Sequence, residues 1–127
     1  MYNSILAKKN WAVIGASENS QKYGCKIYKR LKNEGYNVYG VNPGLETIFG
    51  EKCYKSVKDI PEKPDVINVV VPPKAAMEVA KEVAESGIKY FWLQPGANTR
   101  EVIDCAESLG LEVINACVLV ELYNRHD

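Results

Sequence analysis

The sequence predicts an α/β fold, a single doubly wound domain around a parallel sheet of about five strands. Three observations predict it. Short β-rich apolar runs alternate with helical patterns along the chain. One run, Val66-Ile67-Asn68-Val69-Val70-Val71, is nearly continuous in apolar residues, as a parallel strand covered on both faces requires. Three helical patterns end at Gly35, Gly87 and Gly110, each followed almost at once by a strand. Glycine tolerates the left-handed conformation that closes a helix, so these positions read as αβ turns.

The strands are expected at 11–14, 37–41, 66–71, 90–93 and 112–114. Between the first two, a helix over 23–34 sets Ile27, Tyr28 and Leu31 on one face at offsets of three and four. A second helix, 74–86, does the same with Ala76, Val79, Ala80 and Val83. A third, 99–109, carries Val102, Ile103, Ala106 and Leu109, and its start, Asn98-Thr99-Arg100-Glu101, has capping-box spacing. A last segment, 118–125, reads as a short helix laid against the sheet edge. No linker or low-complexity tract divides the chain, so residues 1–127 are expected to form one domain.

Composition narrows the partners. Sixteen basic residues balance 16 acidic ones, which argues against nucleic acid and against a polybasic membrane patch. The one charge-dense stretch, 51–63, mixes both signs and reads as a solvated surface. No apolar run approaches the roughly 20 residues of a spanning helix, and the first nine residues lack the pattern of a secretory signal. Cys25, Cys53, Cys105 and Cys117 are widely spaced, with a single His, His126, so no metal site is expected. Reduced thiols in the cytoplasm are the expectation. Cys25 and Cys105 fall in expected helices, as small buried residues.

The chemistry gathers at the strand ends. In Val13-Ile14-Gly15-Ala16-Ser17-Glu18-Asn19-Ser20-Gln21-Lys22-Tyr23-Gly24 a strand ends in Gly and a polar loop enters a helix, where unpaired N–H groups and the dipole favour an anion. Gly15 permits a tight turn and close approach of a phosphate. Ser17 offers a hydroxyl, Lys22 a point charge, and Gly24 leaves the first helical turn unobstructed. Equally, Ser17 and Asn19 could simply cap the helix with Lys22 solvated, and the stretch alone leaves both readings open. Ser17 stands where the second Gly of G-x-G-x-x-G belongs. The second strand end, Val41-Asn42-Pro43-Gly44, lacks the acid that holds a dinucleotide ribose, which weakens NAD. Pro72-Pro73 suits a helix start and also makes a stiff apolar wall. Gln94-Pro95-Gly96 offers an amide and exposed backbone, or is simply a loop.

Together, Val13 to Ser17, Lys22-Tyr23-Gly24, Val41-Asn42-Pro43, Val70 to Pro73 and Trp92-Leu93-Gln94-Pro95-Gly96 resemble the CoA-binding domain family. Its members are stand-alone Rossmann-like relatives of the N-terminal domain of the succinyl-CoA synthetase alpha subunit. The resemblance runs from Lys9 to about Tyr123. It implies a site for coenzyme A or an acyl-CoA, with Gly15, Ala16, Ser17, Lys22, Tyr23 and Gly24 at the phosphates. Asn42 and Pro43 would flank the adenosine, and Val71, Pro72, Pro73, Gln94, Pro95 and Gly96 would line the crevice beyond. Two departures stand out. The synthetase domain has a Lys two residues past the second-strand proline, where this chain has Leu45, and Cys117 is followed by Val118 where many relatives have Pro. The second synthetase domain, with its phosphorylated His, is absent from the sequence.

No catalytic constellation stands out. Glu18, Asp104 and Glu121 show no acid–base pairing, and Cys117 could exchange with a CoA thiol or be merely buried. The expectation is a CoA or acyl-CoA binding module without catalysis of its own, acting with a protein partner. The alternatives are an NAD(P)- or nucleotide-dependent enzyme using the same strand–loop–helix, and an interaction module that has lost its ligand.

Overall fold

The computed structural model of the chain describes residues 2–125. His126 lies outside them. Among the described residues there are five α-helices: α1 (Asn3–Leu6), α2 (Tyr23–Asn33), α3 (Pro73–Glu85), α4 (Arg100–Ser108) and α5 (Val118–Tyr123). The strands are β1 (Asn10–Ile14), β2 (Asn37–Val41), β3 (Thr47–Ile48), β4 (Glu51–Tyr54), β5 (Val66–Val69), β6 (Tyr90–Leu93) and β7 (Glu112–Asn115). They form one seven-stranded sheet in the order β3-β4-β2-β1-β5-β6-β7. All pairings are parallel except that of β3 with β4. The chain starts at the centre of the sheet and reverses direction across it between β1 and β5, which is the doubly wound switch point.

The five expected strands are all present, and the count of five is corrected to seven. The two additions are the β3–β4 hairpin, and β4 falls in the stretch expected to be solvated surface. Its Cys53 is buried against the core while Glu51 and Lys52 face solvent, so a single fully buried side chain anchors the strand that carries β3 at the sheet edge. The hairpin turns at Phe49 and Gly50, both with positive φ (47° and 81°). A two-residue turn of this handedness matches the twist of the strands it joins.

Alternation along each central strand divides the core in two. Ala12, Ile14, Ile67, Val69, Phe91 and Leu93 face α3 and α4. Trp11, Val13, Val66, Trp92 and Ile114 face the opposite layer, which holds α1, α2 and α5. Trp11 and Trp92 lie side by side there, ring centroids 5.7 Å apart, both fully buried. Each indole N–H has a partner, the Lys8 carbonyl at 2.8 Å and the Ala116 carbonyl at 2.8 Å, so burial leaves neither donor stranded.

Smaller departures have local causes. Pro73 starts α3 one residue earlier than expected, at a position where its missing N–H costs nothing. The cap of α4 is Thr99, whose Oγ1 accepts from the Val102 N–H at 3.3 Å, rather than Asn98 paired with Glu101. Helix α5 buries Val118 and Leu122 in the layer that holds α2, in one cluster with Ile114 of the edge strand β7. Cys25 is buried as expected, Cys105 only partly, and all four cysteines are free. Among the described residues no helix is long and apolar enough to cross a membrane, and no cluster of metal-ligating side chains occurs.

Candidate functional site

The loops that follow four of the parallel strands are fixed in one row. The first residue past each strand donates its N–H to the last carbonyl of the neighbouring strand. Asn42 donates to Tyr54, Gly15 to Val41, Val70 to Ile14 and Gln94 to Val69, at 2.9, 2.9, 2.9 and 3.1 Å. The parallel register therefore brings the five expected strand-end segments to one carboxyl edge. In open α/β sheets this edge, at the switch point, is where ligands bind.

At its centre β1 meets the start of α2. Gly15 has φ of 97°, open to glycine, and a Cβ there would lie 2.8 Å from the Val70 carbonyl oxygen and 3.0 Å from Val71 Cγ1. A Cβ on Gly24 would lie 2.0 Å from the Gly15 carbonyl oxygen. The two glycines thus let the strand and the first helical turn touch backbone to backbone.

The helix-cap reading of this loop fails. Lys22 is the residue before α2, and the helix has no side-chain cap. Ser17 Oγ instead accepts from the Asn19 N–H, and Asn19 Oδ1 from the Gln21 N–H, each at 3.0 Å. These turns hold the loop while leaving the Ser17 hydroxyl proton free to donate. The first N–H groups of α2 keep their positive field, with the exposed Lys22 ammonium beside them. Tyr23 is 57% exposed at the same helix start.

Asn42 is committed to the scaffold. Its Nδ2 donates to the Ala16 carbonyl (2.9 Å) and its Oδ1 accepts from the Gly44 N–H (2.8 Å). It binds the first two loops together rather than presenting its amide outward, while Pro43 follows on the surface. Glu18, from the loop after β1, accepts from the Phe49 N–H at 2.9 Å and so ties the β3–β4 hairpin to that loop.

Beyond the switch point, Gln94 is almost wholly buried. Its Oε1 accepts from the Val118 N–H (2.8 Å) and from Asn68 Nδ2 (3.2 Å), while Nε2 approaches Cys117 Sγ at 3.5 Å. Asn68 Oδ1, also buried, has no partner. Gln94 and Cys117 line a cavity of about 260 Å³ with Tyr23, Val70, Pro95 and Val120. Pro72 and Pro73 open α3 on the other side of the sheet. Gly96 turns away with φ of 101°, its N–H on Asn98 Oδ1 at 3.0 Å.

Several residues of this edge carry no signal in the sequence. Asn68 sits inside an apolar run and meets its partner only through pairing of β5 with β6. A larger open cavity, about 730 Å³, lies at β3–β4 and is lined by Lys52, Tyr54 and Lys55, which belong to the charge-dense stretch. Ionisation is perturbed mainly nearby. Burial, then the Glu51 hydrogen bond, raises the Tyr28 hydroxyl well above its ordinary range. Lys32 lowers Glu51, and burial raises the Cys53 thiol.

The chain is 37% identical over 113 residues to acetate–CoA ligase (ADP-forming) I of Archaeoglobus fulgidus, covering 81% of this chain and 16% of that one. It is 44% identical over 125 residues to the alpha subunit of acetate–CoA ligase (ADP-forming) II of Pyrococcus furiosus, covering 90% and 27%. It therefore spans about a quarter or less of the length of these ligase chains. A conserved hypothetical protein of Pyrococcus furiosus superposes with TM-score 0.84 at 45% identity, over 89% of this chain and 98% of that one. Residues 9–123 match the family described as CoA binding domain, the span that holds every strand-end loop of the row. The chain belongs to the CoA-binding domain family.

Proposed function

We propose that the protein binds coenzyme A or an acyl-CoA across the carboxyl ends of β1, β2, β5 and β6, without catalysis of its own. One observation carries the reading: the backbone contact of Gly15 with Gly24 beneath the uncapped start of α2. That joint leaves room for a pyrophosphate against the first N–H groups of the helix, with Ser17 donating a hydroxyl and Lys22 a charge. The adenosine lies toward Pro43, where no acid waits for a dinucleotide ribose. The pantetheine arm runs the other way, past Val70 and Pro95 into the Gln94–Cys117 cavity.

A protein partner belongs to the proposal. The ligase chains similar to this one extend well beyond the region shared with it. Tyr23 and Val120, which line the crevice, are 57% and 51% exposed, apolar surface that a second protein could cover.

Thermal unfolding with CoA, acetyl-CoA, NAD and ATP in turn tests the reading. A compound at 100 times its dissociation constant adds about 2.7 kcal/mol of stability. Stabilisation by CoA or acetyl-CoA is expected. A shift with NAD and none with CoA would replace the reading with that of a dinucleotide-dependent protein.

A further inference from the structure

Coenzyme A carries a third phosphate, on the 3′-oxygen of its ribose, and the loop after β2 has no cation to meet it. Asn42, Pro43, Gly44 and Leu45 are all uncharged. We propose that Lys52, on the neighbouring strand β4, and Lys55, the first residue past it, bind this 3′-phosphate in the open cavity beside the β3–β4 hairpin. The inference rests on the CoA reading and goes beyond it by naming the residues that select the third phosphate.

Register supplies the placement. Val41 of β2 pairs with Tyr54 of β4, and the Asn42 N–H donates to the Tyr54 carbonyl at 2.9 Å. Lys55 therefore follows its strand at the level where Asn42 follows its own, one strand away, a spacing of about 5 Å. A lysine side chain easily reaches across that distance. Lys52 lies on the same face of β4 as Tyr54, its ammonium 5.5 Å from the centre of the Tyr54 ring. Both lysines line the cavity, whose volume of about 730 Å³ falls within the range of small-molecule sites.

The charges are uncommitted. Among the described residues neither lysine forms an ion pair, whereas nearby Lys32 and Lys58 are paired with Glu51 and Glu85. The cavity also carries two carboxylates, Glu46 and Asp59. Asp59 accepts from the Ser56 hydroxyl at 3.2 Å, which satisfies part of its acceptor capacity. Glu46 offers an acceptor to the ribose hydroxyl or the adenine amine, groups that a phosphate alone lacks. Two ammoniums, an aromatic face and an acceptor suit a phosphorylated nucleoside better than a free anion.

The test is a comparison of CoA with 3′-dephospho-CoA by calorimetry, on the wild type and on the exposed-site variant Lys52→Ala/Lys55→Ala. The wild type is expected to prefer CoA by roughly tenfold or more, the scale of a charge-assisted phosphate contact. The double variant should bind CoA only as well as the wild type binds 3′-dephospho-CoA, with an unchanged melting temperature. Raising the salt should shrink the wild-type preference. Equal binding of both compounds by the wild type, or a preference that survives in the double variant, overturns the inference while leaving the CoA reading intact. If the wild type binds neither compound, the CoA reading itself falls, and this inference with it.

Discussion

Gly24→Ala offers a sharp test of the strand–helix joint, because two effects of opposite sign compete. In an unobstructed helix the change should stabilise, since alanine is favoured over glycine by about 1 kcal/mol. Here the added carbon would lie 2.0 Å from the Gly15 carbonyl oxygen and 3.0 Å from its carbon, where ordinary contact begins near 3.4 Å. Both obstacles are backbone, so no rotamer relieves them, and the joint must open by roughly 1 Å or more in a close-packed setting. Overpacking of this kind costs about 1–3 kcal/mol, which outweighs the propensity gain. A 2.0 Å approach to backbone places the cost at the upper end, about 3 kcal/mol. Less the propensity gain of about 1 kcal/mol, a net loss of about 2 kcal/mol lowers the melting temperature of a chain of this size by roughly 6–10 °C. Thermal denaturation followed by circular dichroism reads it directly. The same shift moves Gly15 away from the helix start, so CoA should also lose its stabilising effect. A melting temperature equal to or above that of the wild type would refute the backbone contact on which the phosphate site depends.

Three further outcomes are expected. Lys22→Ala should weaken CoA binding by roughly tenfold while leaving the melting temperature unchanged, as a solvent-exposed phosphate contact would; calorimetry and a melt together check it. Gln94→Leu should destabilise by about 1–3 kcal/mol in chemical denaturation, because the buried Val118 N–H and Asn68 amide lose their shared acceptor. The Glu51 carboxyl is held below its ordinary range by Lys32, so their pairing stabilises the folded state above the ordinary carboxylate pKa and fades as pH falls through the lowered one. With the Glu51 side chain 55% exposed the effect is small, and Glu51→Gln should flatten that acid-side slope in denaturation curves rather than abolish folding.

The central strands were legible because burial on both faces forces a run of apolar residues, as in Val66 to Val69. The helices announced themselves by apolar faces such as Ile27, Tyr28 and Leu31, and by glycines at their ends. The β3–β4 hairpin was not legible. Of its six paired residues only Ile48 and Cys53 are buried, too few to set a period of two. Its turn also places Phe49 where Asn would have marked a hairpin, so the usual signal was missing. At the site, Gly15, Ser17 and Gly24 were readable because backbone geometry restricts which residues fit. The structural task of Asn42 was not, since its partner Ala16 lies 26 positions away and meets it only after β1 and β2 pair. The Gln94 network was hidden for the same reason, its members coming from three separate segments.

The two hydrogen bonds of the Asn42 amide have a thermodynamic consequence. They join the loop after β1 to the loop after β2, and the Glu18 contact adds the hairpin to the pair. A molecule that spans all three segments meets surfaces already arranged for it, and little conformational freedom is left to lose on association. Removing the latch, as Asn42→Ala would, separates affinity into its parts: the phosphate and adenosine contacts survive individually, but each must then be assembled at the moment of binding. The loss should appear chiefly as a less favourable binding entropy, with association slowed more than the contacts themselves are weakened.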